Sequence, residues 1–169
     1  ARSRERGMVE IRRGQPEDVP ACSNLAIELI GPHRGRPFMQ AALDRGQLLV
    51  ASDVGEAVGC LVYRTDWFNC TFVSLVVVKP DCRRKGIARD LYRAVEAESL
   101  SPRFFSSTDE TNAASIQMHR TLGFTPSGHI DNLPQGYREL LFYKRLASRI
   151  GHERDGVTIL GNNGGTHRV

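Results

Sequence analysis

A chain of 169 residues is long enough to bury one substantial core and too short for two ordinary domains. Its net charge of +4 points to an anionic ligand, and its few aromatic residues are not interleaved with the basic cluster, which argues against a nucleic-acid partner. No apolar run approaches the roughly 20 residues of a membrane span, and the opening ARSRERGMVEIRR is charged rather than signal-like, so a soluble, cytoplasmic protein with no membrane partner is expected. Met8 to Arg13 alternates Val9 and Ile11 with polar neighbours, as a half-buried first strand does. Pro16, Glu17 and Asp18 favour a helix start, and Val19, Cys22, Leu25, Ala26, Leu29 and Ile30 follow helical spacing up to Gly31-Pro32. After a loop over His33 to Pro37, Phe38, Ala41 and Ala42 predict a short second helix closing before Gly46.

Leu48 to Ser52, Ala57 to Arg64 and Thr71 to Val78 read as three strands of an antiparallel meander, separated by turns at Asp53-Val54-Gly55 and Asp66 to Asn69. Ile87, Leu91 and Val95, four residues apart, form one stripe of a helix. Arg103 to Ser107 is a short strand, Asn112 to Leu122 another helix, and Glu139 to Leu146 the last strand. The predicted order is β-α-α-β-β-β-α-β-α-β-β, an α+β domain. Cys22, Cys60, Cys70 and Cys82 lack the close pairing of a zinc site and read as reduced structural thiols, so no metal is expected.

The junction VSLVVVKPDCRRKGIAR, from Val73 to Arg89, carries the chemistry. A buried-strand pattern runs into a basic, glycine-containing helix start. The first N–H groups of a helix lack intrahelical partners and can converge on an anion, while Arg83, Arg84, Lys85 and Arg89 add positive charge. A pyrophosphate suits that cradle. The arrangement Arg83-x-x-Gly86-x-Ala88 resembles the pyrophosphate-binding signature of the GNAT superfamily, the acetyl-CoA-dependent N-acyltransferases. A second segment, NAASIQMHRTLGF from Asn112 to Phe124, resembles the downstream element of the same family.

The resemblance covers roughly Val9 to Leu146. It implies a mostly antiparallel mixed sheet, flanked by helices and splayed between its fourth and fifth strands to admit the pantetheine arm of acetyl-CoA. It makes residues 1–146 one acetyltransferase domain and leaves 147–169 as a glycine-rich tail, mobile or in contact with a second subunit; a homodimer is a family-level expectation. It carries the pyrophosphate grip onto Arg83, Arg84, Lys85, Gly86, Ile87, Ala88 and Arg89. The backbone of Val76, Val77 and Val78 is expected to pair with pantetheine, with Val76 or Val77 N–H facing the acyl oxygen. Asn112 is expected to bond the pantetheine, cap its helix, or both.

The chain departs from the family pattern at His119, where a Tyr commonly acts as general acid toward the cofactor sulfur. With reference pKa values, transfer from an imidazolium near 6.5 to a thiolate near 8.5 is downhill by roughly 2.7 kcal/mol, so a protonated His119 is a competent acid. Unshifted, it is protonated only about a quarter of the time at neutral pH, which predicts pH-dependent activity. An alkylamine acceptor is neutral about once in two thousand molecules at pH 7, a deficit of roughly 4.6 kcal/mol that a base must help overcome. Where some relatives place a Glu in the fifth strand this chain has Ser107, able to hold a water but not to act as a carboxylate. Asp109, Glu110, Glu28 and Asp66 are further candidates.

Acceptor specificity is expected from three walls: His33 to Arg36, Trp67-Phe68, and Asp131 to Tyr137. The first is cationic and would tolerate a carboxylate-bearing acceptor better than a polycation, although cofactor phosphates also attract such charges. The expected reaction is direct attack of an amine on the thioester; the acceptor is a small molecule, an amino acid derivative or aminoglycoside-like compound, ahead of a protein amine. Cys70 and Cys82, the candidates for a covalent route, show no His and acid partner in the sequence. The rival reading is an acyl-CoA-binding sensor that has lost turnover, which His119 and Ser107 would favour.

Overall fold

The computed structural model describes residues 8–147; the expectations about the first residues and the glycine-rich tail lie outside them. The elements are β1 (Glu10–Arg13), α1 (Val19–Leu29), α2 (Arg36–Asp44), β2 (Leu48–Asp53), β3 (Glu56–Trp67), β4 (Cys70–Val78), α3 (Ile87–Glu98), β5 (Arg103–Asp109), α4 (Ala113–Thr121), β6 (Thr125–Ile130) and β7 (Glu139–Arg145). Short 3-10 turns at Pro16–Asp18, Pro32–Arg34 and Pro80–Cys82 introduce α1, α2 and the approach to α3. The seven strands form one sheet in the order β1-β2-β3-β4-β5-β7-β6. Every neighbouring pair is antiparallel except β4 and β5, which run parallel.

The predicted succession is present, with differences at the edges. β3 continues to Trp67, so the hairpin turns on Phe68 and Asn69, both left-handed (φ 50° and 58°), as a tight two-residue connection requires. The penultimate strand, demanded by the order but unbounded by any pattern, is β6, and all six of its residues are exposed. It borrows order from β7, and its register breaks between Pro126 and His129, where the proline cannot donate to the ladder.

Two apolar layers sandwich the sheet. On one face Leu61, Tyr63, Val73 and Phe104 pack against Leu91, Tyr92 and Val95 of α3. On the other, Val50, Cys60, Val62, Leu75 and Val77 pack against Cys22, Leu25 and Ala26 of α1 and Met39 and Ala42 of α2. Val73 and Leu75, two residues apart in one strand, thus face opposite sides. Leu75 pairs with Val62 and Val73 with Tyr63, so Ser74 is the extra residue of a β-bulge that exchanges the faces of β4. Its hydroxyl donates to Val62 O at 3.2 Å.

A part-buried ion pair ties β1 to the start of α1. Arg12 donates twice to the Asp18 carboxylate, at 2.7 and 2.9 Å, and Gln15 N–H donates to it at 2.7 Å. The Arg12 bonds hold the Asp18 pKa below the ordinary value against the opposing effect of burial. Asp18→Asn is expected to cost about 1–3 kcal/mol in denaturant unfolding at pH 7. Because the folded pKa is depressed, this contribution is present above the unfolded value of about 3.9 and is lost as pH falls through the folded value. The deficit of the variant should therefore shrink in acid.

Candidate functional site

The parallel ladder between β4 and β5 is short: Thr71, Phe72 and Val73 pair with Phe104, Phe105 and Ser106. Leu75 to Val78 and Ser107 to Asp109 have no mutual pairing, although β4 stays paired with β3 and β5 with β7. A wedge therefore opens between two strands of one sheet, with backbone polar groups on its walls. The register decides which ones. Lys79 N–H donates to Val58 O at 2.8 Å, and hydrogen-bonded pairs alternate along an antiparallel ladder, so Val77 bonds across to Cys60 and Leu75 to Val62. Tyr63 N–H donating to Gln47 O fixes the same phase from the other side of β3, turning Leu61 toward β2. Val76 and Val78 consequently direct their N–H and C=O groups into the wedge. Of the two oxyanion donors expected, Val76 has the required direction and Val77 points away. Arg83 Nε, donating to Val78 O at 3.2 Å, occupies part of the wedge wall.

At the end of β4 the chain turns through Pro80–Cys82, takes left-handed conformations at Arg84 (φ 61°) and Gly86 (φ 80°), and enters α3 at Ile87. A Cβ on Gly86 would sit 2.6 Å from the Arg89 guanidinium. Sequence reasoning missed a second requirement, Gly59 in β3, whose added Cβ would lie 2.9 Å from Val77 O and 3.5 Å from Ile87. A bare Cα there lets the start of α3 close on the sheet beside the wedge. Among the described residues Arg83, Arg84 and Lys85 form no ion pair, whereas Arg89 pairs with Asp90 at 3.2 Å. Free N–H groups, three unpaired cations and an adjacent slot with open backbone form a fitting receptor for a pyrophosphate joined to a pantetheine arm.

Asn112 caps α4, its Oδ1 accepting from Ser115 N–H at 3.0 Å. His119, in the last turn of α4, is fully buried. Its ring stacks on Phe142 at 4.4 Å and 16° and meets Tyr92 and Phe124 edge-on. Nδ1 lies 2.7 Å from Ser115 O, which can only accept, so Nδ1 carries a proton; in the neutral ring Nε2 then accepts from Ser106 Oγ at 2.8 Å. Tyr92 OH in turn donates to Ser106 Oγ at 2.7 Å. Burial lowers the His119 pKa, outweighing the Ser115 carbonyl, and raises that of Tyr92. His119, expected from the motif as a general acid, is thus a ring enclosed in the core whose charged form burial disfavours. Ser107 is half-buried on the opposite face of β5 from Ser106, so His119 and Ser107 are not brought together.

The other candidate bases hold structural positions. Asp109 Oδ1 accepts from Thr111 N–H at 2.8 Å, Glu110 Oε1 accepts from Arg138 N–H at 3.2 Å, Asp66 pairs with Arg64 at 2.6 Å, and Glu28 is exposed on α1. Glu139, which sequence reasoning passed over, begins β7 directly opposite Asp109. Burial and Asp81 raise the Cys82 pKa, which weakens it as a nucleophile. Cys70 is held by its contact with Phe68 O.

Two of the three predicted acceptor walls share one cleft of about 350 Å³, which brings Arg34 and Phe38 together with Trp67, Phe72 and the bulged Ser74. Trp67 stacks on Phe72 at 4.8 Å and 19° and tilts against Phe105 at 5.1 Å, so it is at once a hairpin anchor and a cleft wall. The third wall, Asp131 to Tyr137, lines a separate cleft of about 480 Å³ with Glu110 and Arg138.

The sheet is mixed and opens beyond its one parallel pair, with a cationic helix start adjoining the gap. Residues 17–124 match the acetyltransferase (GNAT) family, and the chain belongs to it. A GNAT-family acetyltransferase from Bacillus cereus ATCC 10987 superposes with a TM-score of 0.77 at 30% identity, over 83% of this chain and 99% of that one. The yncA protein of Salmonella typhimurium, solved with its cofactor acetyl-CoA, shares the fold with a TM-score of 0.68 at 20% identity, over 86% and 98% of the two chains. An L-methionine sulfoximine/L-methionine sulfone acetyltransferase of Pseudomonas aeruginosa is 36% identical in an alignment 100 residues long that covers 53% of this chain. The match spans 57% of that enzyme's length. No helix among the described residues is long and apolar enough to cross a membrane.

Proposed function

We propose that this protein transfers the acetyl group of acetyl-CoA to the primary amine of a small acceptor by direct attack. The observation that carries the reading is the wedge: Val76 N–H points into the gap between β4 and β5, beside a cationic helix start formed from Arg83 to Arg89. The amine nitrogen bonds to the thioester carbonyl carbon, the C–S bond breaks, the nitrogen sheds a proton and the departing thiolate takes one up, leaving the acetamide and the free thiol. Val76 N–H stabilises the negative charge that develops on the carbonyl oxygen, and its backbone position means that it reorganises little. Asn112 and the Val78 N–H line the path of the pantetheine arm. The buried state of His119 and the raised pKa of Cys82 both favour a route without a covalent acyl-enzyme, with His119 as a residue that positions β5 against α4.

A small acceptor fits the cleft of about 350 Å³ on the α1–α2 side of the sheet better than a folded protein surface does. The relative that acetylates methionine sulfoximine acts on a small amino acid derivative, in agreement with that size. Acetyl-CoA and CoA are expected to raise the melting temperature in a concentration-dependent way and ATP is not, because binding to the folded state alone adds stability as RT ln(1 + [L]/Kd). No shift with either CoA form would overturn the cofactor assignment. A shift without release of free thiol across a panel of amines would replace the enzyme with an acyl-CoA sensor.

A further inference from the structure

The cleft holds three arginines in different states. Arg64 is spent on Asp66, with bonds of 2.9 and 2.6 Å. Arg45 donates to Gln47 Oε1 at 3.0 Å. Arg34 makes neither an ion pair nor a side-chain hydrogen bond among the described residues. Its guanidinium instead lies over the Phe38 ring, 4.5 Å from the centroid. A half-buried cation with five unspent donors is costly unless an anion arrives. Burial accordingly lowers the Arg34 pKa, with the Glu139 carboxylate partly opposing it from beyond contact distance.

Arg34 is also rigidly presented. It closes the 3-10 turn after α1, with Arg34 N–H donating to Gly31 O at 3.1 Å and Gly35 N–H to Pro32 O at 3.2 Å. The cofactor phosphates do not explain it, because the cradle sits at the start of α3, which packs on one face of the sheet, whereas Arg34, Phe38 and Phe72 line a cleft on the α1–α2 face. The stacked pair Trp67 and Phe72 supplies an apolar wall beside this lone cation, and Glu139 supplies a separate negative charge at the start of β7. Cation, apolar wall and distant carboxylate match the carboxylate, side chain and ammonium of an amino acid.

We propose that Arg34 is the carboxylate receptor of the acceptor site and that the preferred acceptors are free amino acids with apolar or aromatic side chains. The inference rests on the acetyltransferase reading of the cleft. The guanidinium takes the acceptor carboxylate in a two-pronged bond, Phe38, Phe72 and Trp67 seat the side chain, and the amine is left facing the wedge.

The test compares amino acids with their own carboxamides, for example phenylalanine with phenylalaninamide and methionine with methioninamide, by release of free thiol. In the unmodified enzyme kcat/KM for the acid should exceed that for the amide by about 10- to 100-fold, the range of a charge-assisted pair. Arg34→Gln should remove that preference, lowering kcat/KM for the acid by about 10- to 100-fold more than for the amide. Arg34→Lys, which keeps the charge and loses the fork, should restore it in part. Calorimetric binding of N-acetyl-phenylalanine, which requires no turnover, should weaken by the same factor in Arg34→Gln. Turnover of amides equal to that of acids, or equal loss for both in Arg34→Gln, would overturn the carboxylate receptor alone. Thiol release with no amine, despite binding of acetyl-CoA, would overturn the acetyltransferase reading and this inference with it.

Discussion

His119→Ala is expected to lower unfolding stability by about 3–5 kcal/mol, the range for deleting a buried aromatic ring. The ring fills space between Phe142, Tyr92 and Phe124, and its removal leaves the Ser106 hydroxyl without its acceptor. The pH dependence separates this structural role from general acid catalysis. Burial lowers the folded pKa of His119, so between that value and about 6.5 the unfolded chain binds the extra proton. Stability is therefore full above about pH 6.5 and declines as pH falls below it. His119→Phe keeps the volume and removes the titration, so its stability should fall less steeply with acid than that of the parent. Melting temperatures between pH 5 and 7.5 measure the difference. In the same interval kcat should show no limb that disappears in His119→Phe. A rate that rises toward acid with a midpoint at or above 6.5, and loses that limb in the variant, would restore His119 as the proton donor.

The contrast at His119 shows where sequence reasoning stops. Its place in the helix before Leu122-Gly123-Phe124 is legible from spacing, and Asn112 as a cap is legible from residue type. What surrounds the ring is not, because Ser106 and Phe142 reach it through the ordering of β5 and β7 in the sheet. The same limit applies to the three valines. Their strand is evident from composition, but which amide enters the wedge depends on the phase of β3 against β2 and β4. The exchange of faces depends on a bulge at Ser74 that no residue type announces. β6 carries no apolar alternation at all, since a strand exposed along its length needs none. Gly59 had no visible purpose until α3 lay across it. Arg34 was recognisable as charge on a loop, yet its value lies in the absence of a partner, which only the packed chain reveals. Local turn chemistry, helix stripes and the basic junction are written in adjacent residues; register, burial and unsatisfied charge are properties of contacts between distant ones.

Gly86→Val is expected to weaken acetyl-CoA binding by about 10- to 100-fold while the domain remains folded. The residue occupies the left-handed region at φ 80°, where a side chain costs about 1–2 kcal/mol, and the new Cβ would displace the Arg89 guanidinium lying 2.6 Å away. The exposed Arg89 side chain can swing clear, so it is relief of the backbone strain that opens the turn and shifts the Ile87 and Ala88 amides at the helix start. Loss of one charge-assisted bond to a phosphate adds about 1.5–3 kcal/mol to the difference. Titration calorimetry with acetyl-CoA reads the affinity, and thermal unfolding of the free protein reads the strain separately. Arg84→Ala removes charge but leaves the backbone cradle intact, so its smaller loss should fade with added salt, whereas the Gly86→Val loss should persist. The wedge is untouched in either variant, because Val76 takes its direction from the β3 ladder and not from the turn. At saturating acetyl-CoA both should therefore approach the parent kcat, the pattern of an interaction made equally in ground and transition states. Unchanged affinity in a folded Gly86→Val variant would show that the phosphates lie elsewhere; a kcat that falls as far as the affinity would show that the cradle also orients the thioester against Val76.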